Sequence, residues 1–204
     1  MGSNRIKKYL GMAMALVLCL VVPFALAGCG ENKEAAIKEA LTSEFDALKN
    51  PTEENLKEYL GEDLESDSDF QELADYGIDP YELLGHLFKH FDYEIGDITV
   101  DGSTATAQVK LTNVDVATVM NEASNEYIAS KTQDELMALY AEGEDAIIQD
   151  LFKMVYDKID STTDTTSTDV TLNLTETDDG WDLDDESQDA LVSAAFGGAD
   201  LSNL

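Results

Sequence analysis

His86 and His90 are the pair whose type and spacing first suggest chemistry, since two imidazoles four residues apart on a helix can reach one metal ion. The zinc-protease motif also needs a Glu directly after the first histidine, and His86 is followed by Leu87. On the helical wheel both fall at the polar edge of the Leu83-Leu87-Phe91 stripe, which reads as flanking surface histidines. The acid runs Glu65 to Asp69 and Asp178 to Asp189 suggest calcium, but neither keeps the calcium-loop pattern. With Gly180 at position six, Thr175 stands at position one and Glu186 at twelve, and the alternating acids are missing. No nucleophile motif of the Ser-His-Asp or Cys-His kind is visible. The sequence thus assigns no catalytic residue, no metal ligand and no cofactor. The aromatics Tyr59, Phe88, Phe91, Tyr93 and Trp181 are candidate pocket-lining residues, although aromatic side chains more often fill a core.

The other chemically distinctive residue is Cys29. Arg5, Lys7 and Lys8 precede an apolar stretch from Tyr9 to Val22, and small residues Ala27 and Gly28 stand just before the cysteine. That is the layout of an export signal: basic start, apolar middle, small-residue cut site. Leu26-Ala27-Gly28-Cys29 resembles the lipobox of bacterial lipoprotein precursors. The resemblance implies a diacylglyceryl group on the Cys29 sulfur, cleavage between Gly28 and Cys29, and a domain anchored to the cell membrane on its extracytoplasmic face. Tyr9 to Gly28 is close to the length that spans a bilayer, yet Pro23 and the small-residue end argue for cleavage. Ile6 stands where a myristoylation signal wants Ser or Thr.

Cleavage there leaves 176 of the 204 residues, enough for one domain with a real core. It also removes Cys19, so Cys29 becomes the lone cysteine and no disulfide framework is available. Three of the 12 basic residues and none of the 43 acidic ones lie before Cys29, which takes the net charge from −31 to −34. Nucleic acid is a poor partner for such a chain, because phosphate binding needs clustered Lys and Arg.

The elements that must position these residues follow from periodicity. Ala36, Ile37, Ala40, Leu41, Phe45 and Leu48 recur at helical steps. Asn50-Pro51-Thr52-Glu53 predicts a second helix capped by Asn50, carrying Leu56, Tyr59 and Leu60 and ending at Gly61. A short helix over 69–76, capped by Ser68, stops at Gly77, and Asp79-Pro80 opens the helix of Leu83, Leu84, Leu87, Phe88 and Phe91. The period then changes to two. A hairpin is predicted with a bulge at Gly96-Asp97, a turn at Asp101-Gly102 and a returning strand whose Ala105, Ala107, Val109 and Leu111 face inward. Two helices follow: one over 116–128, the other opened by a Thr132/Glu135 capping box and running to Ile159. After a polar loop over 161–168 comes a second hairpin, with Val170, Leu172 and Leu174 inward, a turn at Asp178-Asp179-Gly180, then Trp181 and Leu183. A last helix over 188–195 ends at Gly197-Gly198.

The pattern predicts a single α+β domain over 34–198, after a signal peptide at 1–28 and a tether at 29–33, with a tail at 199–204. Asp101-Gly102-Ser103-Thr104-Ala105-Thr106-Ala107, Thr112-Asn113-Val114-Asp115 and Asp179-Gly180-Trp181-Asp182-Leu183-Asp184 resemble segments of uncharacterised bacterial lipoproteins with a cystatin-like, nuclear-transport-factor-two-like cone. The resemblance implies N-terminal helices packed on a curved antiparallel sheet, with a helical insertion between two hairpins. It also implies a pocket that is an enzyme site in some members and a binding or dimerisation surface in many others; fold alone does not choose. Cone-fold isomerases pair an Asp with a Tyr-lined site, and no motif position here carries that pair across. The resulting expectation is a non-catalytic lipoprotein that binds an unidentified small ligand or envelope protein. A dimerising, structural role is the alternative and an isomerase-like enzyme the third.

Overall fold

The computed structural model describes residues 32–60, 68–177 and 180–199. Gly28, Cys29, Gly61, Glu65, Asp178, Asp179 and most of the tail lie outside the described residues, as do the side chains of Tyr59, Ser68, Asp69 and Phe70.

The chain opens with α1 (Lys33–Lys49), capped by Asn32, whose side chain accepts from the Ala35 amide at 3.2 Å. Its stripe Ile37, Leu41, Phe45 and Leu48 is buried, as the spacing predicts. Asn50 is the C-cap of α1 rather than the N-cap of the next helix. That role passes to Thr52, whose hydroxyl accepts from the Asn55 amide at 3.2 Å and starts α2 (Glu53–Leu60). Both residues are good cappers; the chain needs one for each end of the three-residue connection Asn50-Pro51-Thr52. α3 (Ser68–Asp75) closes at Gly77, where φ is +75°. α4 (Pro80–Leu87) starts as predicted, with the Asp79 carboxylate accepting from the amides of Tyr81 and Glu82 and Pro80 at its first position.

β1 (Asp92–Asp101) and β2 (Thr104–Asn113) pair antiparallel, and the register slips by one residue between Ile95 and Ile98. This bulge lets both isoleucines face the core despite their odd spacing. Gly102 turns the hairpin with φ +64°. β3 (Thr166–Thr177) begins four residues before Val170, inside the stretch expected to be a loop. The Ser/Thr run lacks apolar residues but pairs with the last residues of β2, Thr166 opposite Asn113, Ser167 opposite Thr112 and Thr168 opposite Leu111. With β4 (Gly180–Leu183) the four strands form one antiparallel sheet in the order β1-β2-β3-β4.

Between β2 and β3 lie α5 (Val116–Ser130), α6 (Gln133–Glu142) and α7 (Glu144–Ser161). The Thr132/Glu135 capping box is present. The helix it opens does not continue to Ile159, because Gly143 at φ +126° ends α6 and α7 restarts after it. α8 (Asp185–Ala195), capped by Asp184, packs along β3. Ser187 accepts from the Asn173 amide at 2.8 Å, covering the edge that short β4 leaves open.

One face of the sheet and the helices share a contiguous core. Ala105, Ala107, Val109, Leu111, Val170, Leu172 and Leu174 are inward, while Thr104, Thr106, Gln108, Thr171, Asn173 and Thr175 present a polar outer face. The architecture is α+β, helices on an open four-stranded antiparallel sheet. Among the described residues no helix is long and apolar enough to cross a membrane.

Candidate functional site

α4 buries Tyr81, Leu83, Leu84 and Leu87 and so turns Glu82, Gly85, His86 and, just past its end, Lys89 the other way. These four recur at three- and four-residue steps along one stripe. The last turns of α7 lie across that stripe and supply Tyr156 and Asp160. Between them and the α1–α2 connection is an open cleft of about 330 Å³, walled by Glu53, Asp79, Glu82, His86, Lys89 and Asp160, with Gly85 at its lining.

Asp160 organises one wall. Its two oxygens take the His86 Nδ1 at 2.7 Å and the Lys89 Nζ at 2.6 Å. Burial pushes the Asp160 carboxyl up, but hydrogen bonds from Lys89 and His86 outweigh it and hold the group below the usual carboxylate range. Because a carboxylate only accepts, Nδ1 of His86 carries the proton, and in the neutral ring Nε2 is then an acceptor. The imidazole is held further by stacking on Tyr156, with centroids 4.2 Å apart and planes 10° from parallel. Tyr156 is tied down by its ring alone: its buried hydroxyl has no hydrogen-bond partner. Burial, then the charges of Glu82 and Asp79, push its pKa up.

Gly85 adds a separate observation. A Cβ there would meet only the Pro51 carbonyl oxygen, at an ordinary 3.5 Å, and no positive φ calls for glycine. A glycine inside a helix costs ~1 kcal/mol against alanine. Packing does not account for it; the effect is to leave the cleft lining bare.

The histidines are therefore not free surface groups. Both are half-buried and face α7, His90 through Nε2 to the Ile159 carbonyl at 2.9 Å. The four-residue spacing that first suggests a metal also loses its helix, which ends at Leu87, and among the described residues no three metal-ligating side chains gather. Of the candidate pocket residues, Phe88, Phe91 and Trp181 are core: Phe88 packs on Phe91 and Phe196, and Trp181 lies under the Lys33 ammonium. Tyr93 is half-buried between Phe45 and Phe91 and donates its hydroxyl to Asp46 at 2.7 Å. None of these four lines the α4–α7 cleft. Asp184, from the second acid run, is spent capping α8.

Asp160, Tyr156, Lys89 and Gly85 are the site residues that sequence reasoning misses. The usable signal was local: a helix-interior glycine beside His86, with Glu82 and Lys89 on the same stripe. No family model, no curated protein and no solved structure matches the chain.

Proposed function

We propose that the protein is an extracytoplasmic lipoprotein, held to the cell membrane by acyl chains on Cys29, whose domain binds a ligand in the α4–α7 cleft without transforming it. The observation that carries the binding reading is the cleft itself, lined by an oriented imidazole and a bare helix glycine. The anchor rests on Leu26-Ala27-Gly28-Cys29 behind a basic and apolar prefix. A cone-like, nuclear-transport-factor-two-like ancestry for the α+β fold belongs to the same reading and rests on the hairpin segments quoted above.

Geometry gives the two parts a sensible relation. Lys33, four residues after Cys29, bonds the Gly102 carbonyl and Glu176 at one end of the sheet. Leu87, next to His86, bonds Asn113 at the other end of β2. Ten residues of strand, ~30 Å, separate these ends. On this reading the cleft stands at the end of the domain far from the lipid.

A second reading, assembly with another copy or an envelope protein, is favoured by one feature. Ile128, Met137 and Tyr140 are 53, 63 and 67 % exposed on α5 and α6, and α6 has no buried residue.

Mass spectrometry of the native protein tests the anchor: the expected chain begins at acylated Cys29, and an unmodified start at Ala27 or a retained Met1 overturns it. Envelope extracts fractionated by size, added to the labelled protein, test binding. A small-solute fraction should shift α4 and α7 amide resonances; shifts confined to α5 and α6 would instead support assembly.

A further inference from the structure

We propose that the free edge of β3, over residues 167–171, takes an extended basic segment of a partner protein as an added strand. The place is separate from the α4–α7 cleft and shares no lining residue with it. Successive residues of a strand aim their backbone groups to opposite sides, and two sets of bonds fix the sides here. The Glu176 amide donates to the Ser103 carbonyl, so the even-numbered residues of β3 face β2. Asn173 faces the other way: its amide donates to the Ser187 hydroxyl at 2.8 Å, and its carbonyl accepts from the Asp184 amide at 3.2 Å. By the same alternation, the amides and carbonyls of Ser167, Asp169 and Thr171 point out of the sheet. β4 pairs only with residues 174–177, and Ser187 covers the edge at Asn173 alone. These six main-chain groups therefore meet no pairing strand among the described residues, the arrangement that β-strand addition uses.

The helix beside the edge leaves room for that strand. α8 turns Ser187, Ala190 and Ser193 toward it, small residues at three-residue steps. With Thr168, Val170 and Thr171 they wall an open groove of about 430 Å³. Five residues of edge, ~17 Å, match an ordinary short strand. Charge then selects the occupant. Asp169 stands exposed at the middle of the edge with Glu186 across the groove, while Lys110, opposite Asp169 on β2, is drawn to Glu94. A second copy paired edge to edge about Asp169 would set two carboxylates against each other, which is destabilising. A lysine or arginine in that place gains a cross-strand ion pair instead. Its two neighbours along the added strand point to the face of buried Val170, where the small groove wall suits short apolar side chains.

Amide shifts of the full-length protein in neutral detergent, at fixed ionic strength, test the proposal with three probes: acetyl-Thr-Val-Lys-Val-Thr-amide, its counterpart with Glu for Lys, and the Lys peptide N-methylated at its lysine. The Lys peptide should saturate shifts at Ser167, Asp169 and Thr171. The Glu peptide should bind about fivefold more weakly or worse, and the N-methylated one, which keeps the charge but loses the central donor, should not bind. Asp169→Lys, at an exposed position, should keep the fold and reverse the preference between the first two. Thr171→Pro deletes an amide aimed away from β2, so circular dichroism should persist while binding is lost. Equal binding of the N-methylated peptide would mean that attraction to an acidic surface suffices, and overturns the proposal. Equal affinity for the Lys and Glu peptides overturns it by removing the basic class. Asp169 shifts that depend on protein concentration assign the edge to a second copy, and peptide binding that emerges only on deleting residues 200–204 assigns it to the chain's own tail; either overturns it. No saturable shift from any probe does the same.

Discussion

Gly197 lies so close to Val114 that a Cβ built on the glycine would stand 2.1 Å from the Val114 carbonyl oxygen. The contact is backbone against backbone, at φ +72°, with the Val116 amide donating to the Phe196 carbonyl beside it. It locks the end of α8 onto the β2–α5 junction. Gly197→Ala is expected to destabilise by ~3 kcal/mol or more, since the left-handed angle alone costs 1–2 and the clash falls on atoms that cannot swing away. Gly102→Ala has the same kind of angle with nothing within 4 Å, and should cost only the angle. Urea midpoints of the two variants measure the difference; equal losses would mean the α8 end gives way freely.

Asn113 is the polar counterpart of that lock. It is fully buried, donates from Nδ2 to the carbonyls of Leu87 at 3.0 Å and Ala195 at 2.8 Å, and accepts from the Val114 amide. One amide thus joins α4, β2 and α8. Asn113→Leu should cost ~2–4 kcal/mol, because it strands two buried carbonyls and an amide. Asn113→Asp should cost more, by facing a carboxylate toward two oxygens. Chemical denaturation that finds either loss below ~1 kcal/mol would contradict this account.

The contrast between what the sequence reveals and what it conceals is physical. Ala105 to Leu111 alternate cleanly because one face of β2 is buried and the other wet, so register was readable, as was the bulge that rescues Ile98. The break at Gly143 is hidden by apolar residues that continue at helical spacing on both sides of it. The early start of β3 leaves no apolar trace, because its first residues carry hydroxyl side chains and pair with β2 through their backbones. The cleft was hidden for another reason. Its central bond joins His86 to Asp160, 74 residues apart, and only the packing of α7 on α4 brings them together. The aromatics Phe88, Phe91 and Trp181 fill the core, where their area is worth most.

Above neutrality, three tyrosines set the alkaline limit. Burial and then the hydrogen bond to Asp46 push Tyr93 up to about 12, and burial with Asp150 does the same for Tyr127. Tyr156 is pushed up as well, chiefly by burial. A folded value above the unfolded one, ~10, means a contribution fully present below pH ~10 and lost as pH rises through about 12. Phenolate absorbance should therefore show late-titrating tyrosines, and Tyr93→Phe should remove one of them. Titration of every tyrosine near the unfolded value would refute the burial argument.

The apolar tip of α6 makes a prediction that separates the two functional readings. Met137→Ser with Tyr140→Ser should leave the unfolding free energy within about 0.5 kcal/mol, since exposed side chains support no core. If assembly uses this face, the double variant will lose any self-association seen by sedimentation of the native protein. A monomeric native protein removes the self-association arm of the assembly reading.

Asp160 links stability at low pH to the state of the cleft. Its carboxyl is held below the usual range despite burial, so the sign follows: the stabilisation is present above the unfolded value, ~3.9, and is lost as pH falls through the lower folded value. Asp160→Asn should flatten that acid limb while costing about 1 kcal/mol or less near neutrality, because Lys89 is half exposed and its pair is screened. The amide still offers an oxygen to Nδ1 of His86, so the ring should keep its tautomer. Asp160→Leu removes that acceptor, and the imidazole protons should then redistribute between the two nitrogens. Nitrogen-15 shifts of His86 read this directly: a Nδ1-protonated ring in the native protein and in Asp160→Asn, and a mixed or Nε2-protonated ring in Asp160→Leu. A native ring protonated at Nε2 instead would contradict the hydrogen bond from Nδ1 to Asp160.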